Sequence, residues 1–455
     1  MMNIPVVVAA FNRGSALKRL LSSLLTAHYV DIVKLIISID GGGSSEVIQV
    51  AEQFEWPYGE KEIVLHSENL GLRKHVLFCG GLTKLYDGII LLEDDLFVSP
   101  SFYHYAINAT EYYKDCSNLS GIALYSLRYN ESASLPFYPL NDGSDVFFMQ
   151  LPCSWGQLWL KKHWLEFEDW YEANGDLILQ DDHSLPNNVR RWPDTSWKKY
   201  FIKYMIENDK YFVYPRCSYT TNFGDSGQHH KWTKLFQVPL VYGEKKIFDF
   251  VDCQQSMAKY DVFCEILPDS LSQLSKDFKG IEFVVDLYGA KEKHLFNKKY
   301  VLTSKPCSQY RATYGKHLLP IECNVISGIP GKELFLSRNE HVSEAVSVDI
   351  YLERQCCNAD EQLFFYNIDY IHFYNLNECR RKYQEAQLRS ERIDEKFRGS
   401  KLTIHEMDQK LREMDQKLCE AQMSIETIRN SYSYKIGSKV VFPLSLLKKL
   451  YRKIY

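Results

Sequence analysis

Cysteine is present in this chain but never in a working pattern. Twelve cysteines are scattered without a CxxC pair or a spacing that a zinc site would need. The only doublet is Cys356-Cys357, and adjacent cysteines rarely bridge each other. Reduced thiols in a cytosolic protein are therefore expected, rather than a disulfide framework. Long apolar runs are missing too. No stretch approaches the ~20 residues of a transmembrane helix. The opening "MMNIPVVVAAFNRG" lacks the basic n-region and the apolar length of a signal peptide. A large charge of one sign is also absent, since the net charge is −4. That argues against a general polyanion partner. Without a basic groove or a reading motif in the α/β region, nucleic acid is excluded as a partner.

What is present is ordinary globular material with many rings. The 455 residues are 45% apolar and 25% charged, enough for two or three domains with a sizeable core. Aromatic content reaches 14%, driven by 31 Tyr and 25 Phe. Residues 1–113 alternate short β-branched runs with helical patterns. The runs are "IPVVVAA" (4–10), "KLIISI" (34–39), "KEIVLH" (61–66) and "GIILL" (88–92). Continuous apolar runs of this length fit strands covered on both faces. Between them, Leu17, Leu20, Leu21, Leu24 and Leu25 recur at helical spacing after Ser15, a possible cap. Strand–helix alternation predicts a parallel α/β sheet.

Ligands of such sheets bind beyond the carboxyl ends of the strands. Here those ends carry Asn12 and Arg13, Asp40, His66 with Asn69, and Glu93 to Asp95, all polar. The last set is unusual. In "GIILLEDDLFVSP" three adjacent carboxylates interrupt an apolar run. At ~4 Å and an effective dielectric of ~20, each like-charged pair costs about 4 kcal/mol, so a positive group is expected among them. Carboxylates at a parallel strand's end suit a hard divalent cation such as Mg²⁺ or Mn²⁺. An acidic turn without a ligand is the alternative.

Beyond residue 113 the pattern is mixed. "SGIALY", "VFFMQL" and "KYFVYP" read as strands. Six of the eight tryptophans fall between 155 and 197. Trp155 and Trp159, four apart, are expected in the core of a helix, whereas Trp192 and Trp197 beside Asp194 are better placed to stack on a ligand. "NFGDSGQHH" has the composition of a mobile lid, with His229 and His230 at its end. Residues 239–375 carry no clear motif and read as a separate small mixed α/β or β-rich module.

Residues 376–430 differ. Phe397, Ile404, Leu411, Leu418 and Ile425 lie seven apart, and "EMDQKLR" is followed at once by "EMDQKLC". About five heptads with charged outer positions predict a coiled coil, and hence a homo-oligomer, most simply a parallel dimer. In 431–455 six Lys or Arg stand against no acid. Leu444, Leu447, Leu450, Tyr451 and Ile454 lie toward one side of a helix and the basic residues toward the other. Such an end suits an anionic membrane surface, or else a partner-docking helix.

Several of these segments together resemble a known family. "PVVVAAFNRGSALKRLLSSL", "IISIDGG", "LLEDDLFVSPSF" and "YFVYPRCSYTTNFGDSGQHH" resemble the first strand and helix, second strand, acidic metal motif and closing loop of GT-A fold glycosyltransferases. The likeness is greatest to the inverting N-acetylglucosaminyltransferase I family and its bacterial relatives, and it covers roughly residues 3–238. It implies a Rossmann-like GT-A domain over 1–238; the accessory module (239–375), the coiled coil (376–430) and the basic tail (431–455) lie outside it and are read from sequence pattern.

The resemblance also implies an activity: transfer of a sugar, GlcNAc as the best guess, from a UDP-sugar to a glycan or lipid-linked acceptor. The enzyme would then be cytoplasmic, held peripherally at the cytoplasmic face of a membrane. By the same resemblance Asp95 would coordinate Mn²⁺ or Mg²⁺, Asp94 would face the ribose or metal shell, and Glu93 would bind the sugar's hydroxyls. Asp40 would accept the uracil N–H, Arg13 would reach the pyrophosphate, and His75 would contact the base or be a satisfied core histidine. The family's general base is an Asp directly before a Trp. Here Ser196 stands before Trp197, which leaves Asp194 as first choice and Asp181 and Asp182 in reserve. That departure keeps open a non-catalytic coiled-coil adaptor with a degenerate sugar-nucleotide site. A nucleotidyltransferase would need a glycine-rich phosphate loop after the first strand, and "AAFNRGSALKR" offers only one glycine.

Overall fold

The computed structural model describes residues 2–225, 236–343 and 410–423. Strand and helix alternate as expected through Val6–Ala10 (β1), Gly14–Leu25 (α1), Leu35–Ile39 (β2), Ser45–Gln53 (α2), Lys61–Leu65 (β3), Gly71–Gly81 (α3) and Gly88–Glu93 (β4). There follow Leu96–Val98 (β5), Phe102–Tyr113 (α4), Leu119–Ala123 (β6), the hairpin Tyr129–Asn130 (β7) and Leu135–Pro136 (β8), and Val146–Met149 (β9). Next come Gln157–Leu160 (β10), Lys161–Asn174 (α5), Asn187–Arg190 (α6), Trp197–Glu207 (α7), Tyr211–Pro215 (β11), Thr220–Asn222 (β12) and Lys259–Tyr260 (β13).

Nine strands form one sheet in the order β13-β9-β11-β6-β10-β4-β1-β2-β3. The half β3-β2-β1-β4 is parallel throughout. Beyond it β10 runs antiparallel to both β4 and β6. Continuous burial holds for the inner strands: β2 is buried at every position and β4 at all but its last. The edge strand β3 is half-exposed instead, and its Lys61 ammonium donates to the carbonyls of Ala51, Glu52 and Phe54 at the end of α2. Side chains alternate between two cores, with Val6 and Val8 on one face and Val7 on the other. Each such buried side chain contributes about 1.5–3 kcal/mol.

Two sequence expectations are corrected locally. Ser15 lies inside α1, not at its cap, because the helix begins at Gly14 with Arg13 in the capping position. Trp155 and Trp159 are not on a helix. Trp159 is on β10 and fully buried, while Trp155 sits in the preceding loop and is half-buried. Four-residue spacing of rings fits a helix, but pairing with β4 and β6 captured this segment as a central strand. Trp164 then packs against α3, which is possible only because residue 80 is a glycine: a Cβ there would lie 2.1 Å from the ring.

A second sheet, of order β14-β15-β17-β16, is built from Phe283–Asp286 (β14), Tyr300–Thr303 (β15), Ala312–Tyr314 (β16) and Leu334–Arg338 (β17), with helices Pro268–Leu274 (α8) and Glu322–Ile326 (α9). Packing crosses position 238. β13 extends the first sheet at residues 259–260, and one cluster of buried side chains contains both Val7 and Leu336. Of the expected coiled coil, residues 410–423 are described and helical, with Leu411, Leu418 and Ala421 less exposed than their neighbours. The rest of that segment, the basic tail, His229 and His230 lie outside the described residues. Among the described residues no helix is long and apolar enough to cross a membrane.

Candidate active site

The parallel register carries the acids to the edge of the sheet. β4 pairs with β1 so that Glu93 stands opposite Ala9, and Asp94 and Asp95 form the turn that follows. The chain then re-enters structure as β5, which pairs antiparallel with β12, Thr221 opposite Phe97. The Phe223 N–H donates to the Asp95 carbonyl at 3.1 Å, so the acidic turn is held from both sides.

The positive group anticipated among the acids is Arg13. From the start of α1 its Nη1 donates to Asp95 Oδ2 at 2.9 Å and its Nη2 to Asp94 Oδ1. Burial disfavours the guanidinium charge, but Asp94 and Asp95 outweigh that and hold it more firmly protonated than usual. The acids respond to the same environment. Burial, reinforced by the Asp95 charge and opposed by Arg13, pushes Glu93 up to about 8. Burial against the pull of Arg13 leaves Asp94 at about 6. One guanidinium thus serves three carboxylates, and the balance is incomplete. Asp95 Oδ1 is buried and has no hydrogen-bond partner among the described residues. An orphaned buried carboxylate oxygen costs about 1–3 kcal/mol or more. All-oxygen donors of this kind fit a hard divalent cation.

The end of β2 is differently occupied. Asp40 Oδ1 accepts from the N–H of Gly41 at 2.9 Å and of Leu70 at 2.7 Å, and Oδ2 from that of Gly71 at 3.0 Å. It therefore fixes the turn that starts α3, where Gly71 has φ +72. His75 is 6% exposed, and burial lowers it to about 4, so its ring is neutral. Ser38 Oγ lies 2.8 Å from His75 Nε2 and 3.0 Å from His66 Nε2. One hydroxyl has one proton, so it donates to one ring and accepts from the other. Asp40 and His75 are thus brought to the same edge as the acids, but as satisfied groups.

The three base candidates separate. Asp194 has a largely exposed carboxylate, 3.5 Å from Lys199 Nζ, and its carbonyl accepts from Arg73 Nη1 at 3.0 Å. Lys199 is fully buried and caps the same turn through the Arg190 and Trp192 carbonyls. Asp181 is exposed. Asp182 is engaged: Oδ2 pairs with Lys203 at 2.7 Å and Oδ1 accepts from the Ser184 N–H and hydroxyl. Burial alone would raise this carboxyl, but Lys203 and Ser184 together hold it below the ordinary range. An anchored, weakly basic carboxylate is a poor general base.

A cavity linked to the acidic turn by the Lys198 charge that Glu93 feels includes two residues with no sequence signal, Glu131 and Lys198. Glu131, Cys153, Trp155, Trp192 and Lys198 line it. Lys198 Nζ stands 5.4 Å from the Trp155 ring and 5.6 Å from the Trp192 ring. Its charge also opposes the upward shift of Glu93. Trp192 is where a stacking residue was expected, but Trp197 is not: it is 3% exposed and meets Trp159 edge-on at 5.6 Å. No periodic signal distinguishes Lys198 from Lys199, although one faces the cavity and the other is a buried cap. Glu131, in "RYNESAS", carries no signal at all.

No family model and no curated protein matches this chain. Solved structures give partial likenesses. The mannosyltransferase PcManGT from Pyrobaculum calidifontis, in complex with GDP-Man and Mn²⁺, is 10% identical over 37% of this chain and 46% of its own, with a TM-score of 0.28. S. aureus TarS 1-349 in complex with UDP-GlcNAc is 10% identical over 50% of this chain and 60% of its own, at 0.33. GalNAc-T7 with UDP, GalNAc and Mn²⁺ is 12% identical over 49% and 43%, at 0.34. In each case the chain spans less than two thirds of the matched structure. Likenesses of this size are partial and say nothing about chemistry.

Proposed function

We propose that residues 1–238 form a GT-A-type, metal-dependent glycosyltransferase that takes a nucleotide sugar, UDP-GlcNAc first among candidates, and passes its sugar to a glycan or lipid-linked acceptor. One observation carries the proposal: a turn of three carboxylates at the end of a central parallel strand, met by a single arginine, with Asp95 Oδ1 left unpartnered. Asp95 and Asp94 are the residues that would hold Mn²⁺ or Mg²⁺. When bound, such an ion neutralises charge on a departing diphosphate. Glu93, raised by burial and able to donate as well as accept near neutral pH, suits a sugar hydroxyl. Arg13 is placed to exchange carboxylate partners for phosphate oxygens. Asp40 orders the turn against which the base would lie, and His75 backs it as a neutral ring.

Of the base candidates Asp194 is preferred and Asp181 kept, since both are exposed. Trp192 offers a ring to an acceptor and Lys198 beside it a positive charge, while Trp155 packs on Phe236 behind them. The accessory role of the second sheet, oligomerisation through 376–430 and membrane contact by 431–455 are parts of the same proposal that rest on sequence pattern.

The test is a thermal-shift series with nucleotide sugars, each with and without Mn²⁺, on wild type and Asp95→Ala. At ~100 Kd a ligand specific to the native state adds about 2.7 kcal/mol. Stabilisation by one UDP-sugar that needs Mn²⁺ and disappears in Asp95→Ala supports the reading. No shift with any nucleotide sugar would sink it.

A further inference from the structure

A second set of lone pairs converges between the loop before α6 and the segment that links β14 to β15. His183 lies in the loop before α6, and Glu292 and His294 lie between β14 and β15. Ligand atoms of the three side chains are all within 4.8 Å of one another. His183 Nδ1 is 3.1 Å from Glu292 Oε2, and His294 Nδ1 is 3.5 Å from the same oxygen.

The proton positions follow from the neighbours. Arg190 Nη1, which can only donate, is 2.7 Å from His183 Nδ1, so that nitrogen presents its lone pair. His294 Nε2 is 2.9 Å from the His183 carbonyl, which can only accept, so Nε2 carries a proton. In the neutral ring the His294 Nδ1 then presents a lone pair as well. With His294 neutral, the state in which an imidazole binds a metal, a carboxylate oxygen and two imidazole lone pairs face one another. Arg190, which also pairs with Glu292 Oε1, relieves this only from one side.

We propose that His183, Glu292 and His294 form a site for a zinc-class divalent cation, with water completing a tetrahedral shell. Zn²⁺ bonds of about 2.0–2.1 Å place neighbouring tetrahedral ligands about 3.3 Å apart. The separations of 3.1 and 3.5 Å bracket that value. Two imidazoles with one carboxylate select Zn²⁺ over Mg²⁺ or Mn²⁺, unlike the all-oxygen acidic turn. The His294 Nε2–H bond to a backbone carbonyl is the second contact that orients a metal-binding imidazole. Arg190 would give up His183 and keep Glu292 Oε1. The ion would tie the loop that carries Asp182 to the second sheet, across more than a hundred residues of sequence.

The experiment uses the full chain with Cys217→Ser and Cys419→Ser, which removes two exposed thiols. Chelator-stripped protein is titrated with Zn²⁺ against a colorimetric indicator, and separately loaded with Co²⁺ and read by visible absorption. The same is done for His294→Ala, for His183→Gln as a second ligand variant, and for Asp95→Asn. The expected result is one Zn²⁺ whose affinity falls about a hundredfold or more in both histidine variants and is unchanged in Asp95→Asn. The intense absorption of four-coordinate Co²⁺ should accompany it and vanish with either histidine. Equal Zn²⁺ binding by wild type and both histidine variants would overturn the proposal. So would a wild type that takes up no Zn²⁺, or loss of the ion in Asp95→Asn alone.

Discussion

Two groups of buried acids lie in this protein, one at the end of β4 and one at the base of the second sheet, and only one is at rest. In the second sheet Asp286 accepts from the Lys291 N–H and the Thr303 hydroxyl, each at 2.9 Å, and pairs with Lys305 Nζ at 3.3 Å. Glu265 accepts from the N–H groups of Leu287 and Tyr288 at 2.8 and 2.7 Å. Lys291 Nζ reaches Asp261 at 2.5 Å and the Val285 carbonyl at 2.7 Å. Two lysines meet three carboxylates there, and burial with the Asp286 charge pushes Glu265 well up, but each carboxylate is held by hydrogen bonds or an ion pair. At the acidic turn one arginine faces three carboxylates, and Asp95 Oδ1 has no partner among the described residues. Burial of charge is common to both groups and identifies neither. The unanswered oxygen of Asp95 is the difference between them, and the proposed metal site rests on it.

The sharpest way to break this comparison is substitution in each group. Asp95→Ala should lower metal-dependent sugar transfer about a thousandfold, near 4 kcal/mol of transition-state stabilisation, in steady-state assays with Mn²⁺. Its unfolding free energy should change by no more than about 1 kcal/mol, because removing one of three like charges offsets the lost ion pair. Asp286→Ala should do the reverse. By denaturant titration it should cost about 3–5 kcal/mol, since Lys305 is left buried without its carboxylate and with only the Lys291 carbonyl to accept from it. If the two variants exchange these outcomes, the distinction between the groups is wrong.

Smaller effects sharpen the picture. Trp192→Ala should raise the acceptor KM about tenfold with little change in kcat, as loss of a uniform binding contact does. An unchanged KM would remove the cavity from the acceptor path. A pH slope in stability is expected beside the second sheet. Burial lifts Glu322 to about 7, against the hydrogen bond donated by the Tyr260 hydroxyl at 2.5 Å. The folded state then holds a proton that the unfolded chain releases from about 4.5 upward. This contribution to stability is complete below that pH and is lost as pH rises toward 7. Glu322→Gln should flatten stability between pH 5 and 7, measured by denaturant midpoints. A slope identical to wild type would place the proton elsewhere.

Much of the first half of the fold was legible. β1, β2 and β4 announce themselves as unbroken apolar runs because a central parallel strand is covered on both faces. The acidic turn was legible for the same reason, being polar where everything around it was not. Trp155 and Trp159 were misplaced because ring spacing does not say which segment will be captured by β4 and β6, and Trp197 because nearness to Asp194 in sequence does not say which face of α7 packs inward. Lys198 and Glu131 were missed because their neighbours in space come from distant parts of the chain.

The α/β alternation, the row of polar strand ends and the negative charge at the end of β4 can be read in the order of residues alone. These are local quantities, set by periodicity and by the cost of interrupting an apolar run. Folding was needed to show which positive group meets the acids, that Asp182 is an anchored carboxylate, and that His183 and His294 share Glu292. Each of those depends on contacts between residues tens to hundreds of positions apart. Distance in space, unlike periodicity, leaves no trace in the order of residues along one chain.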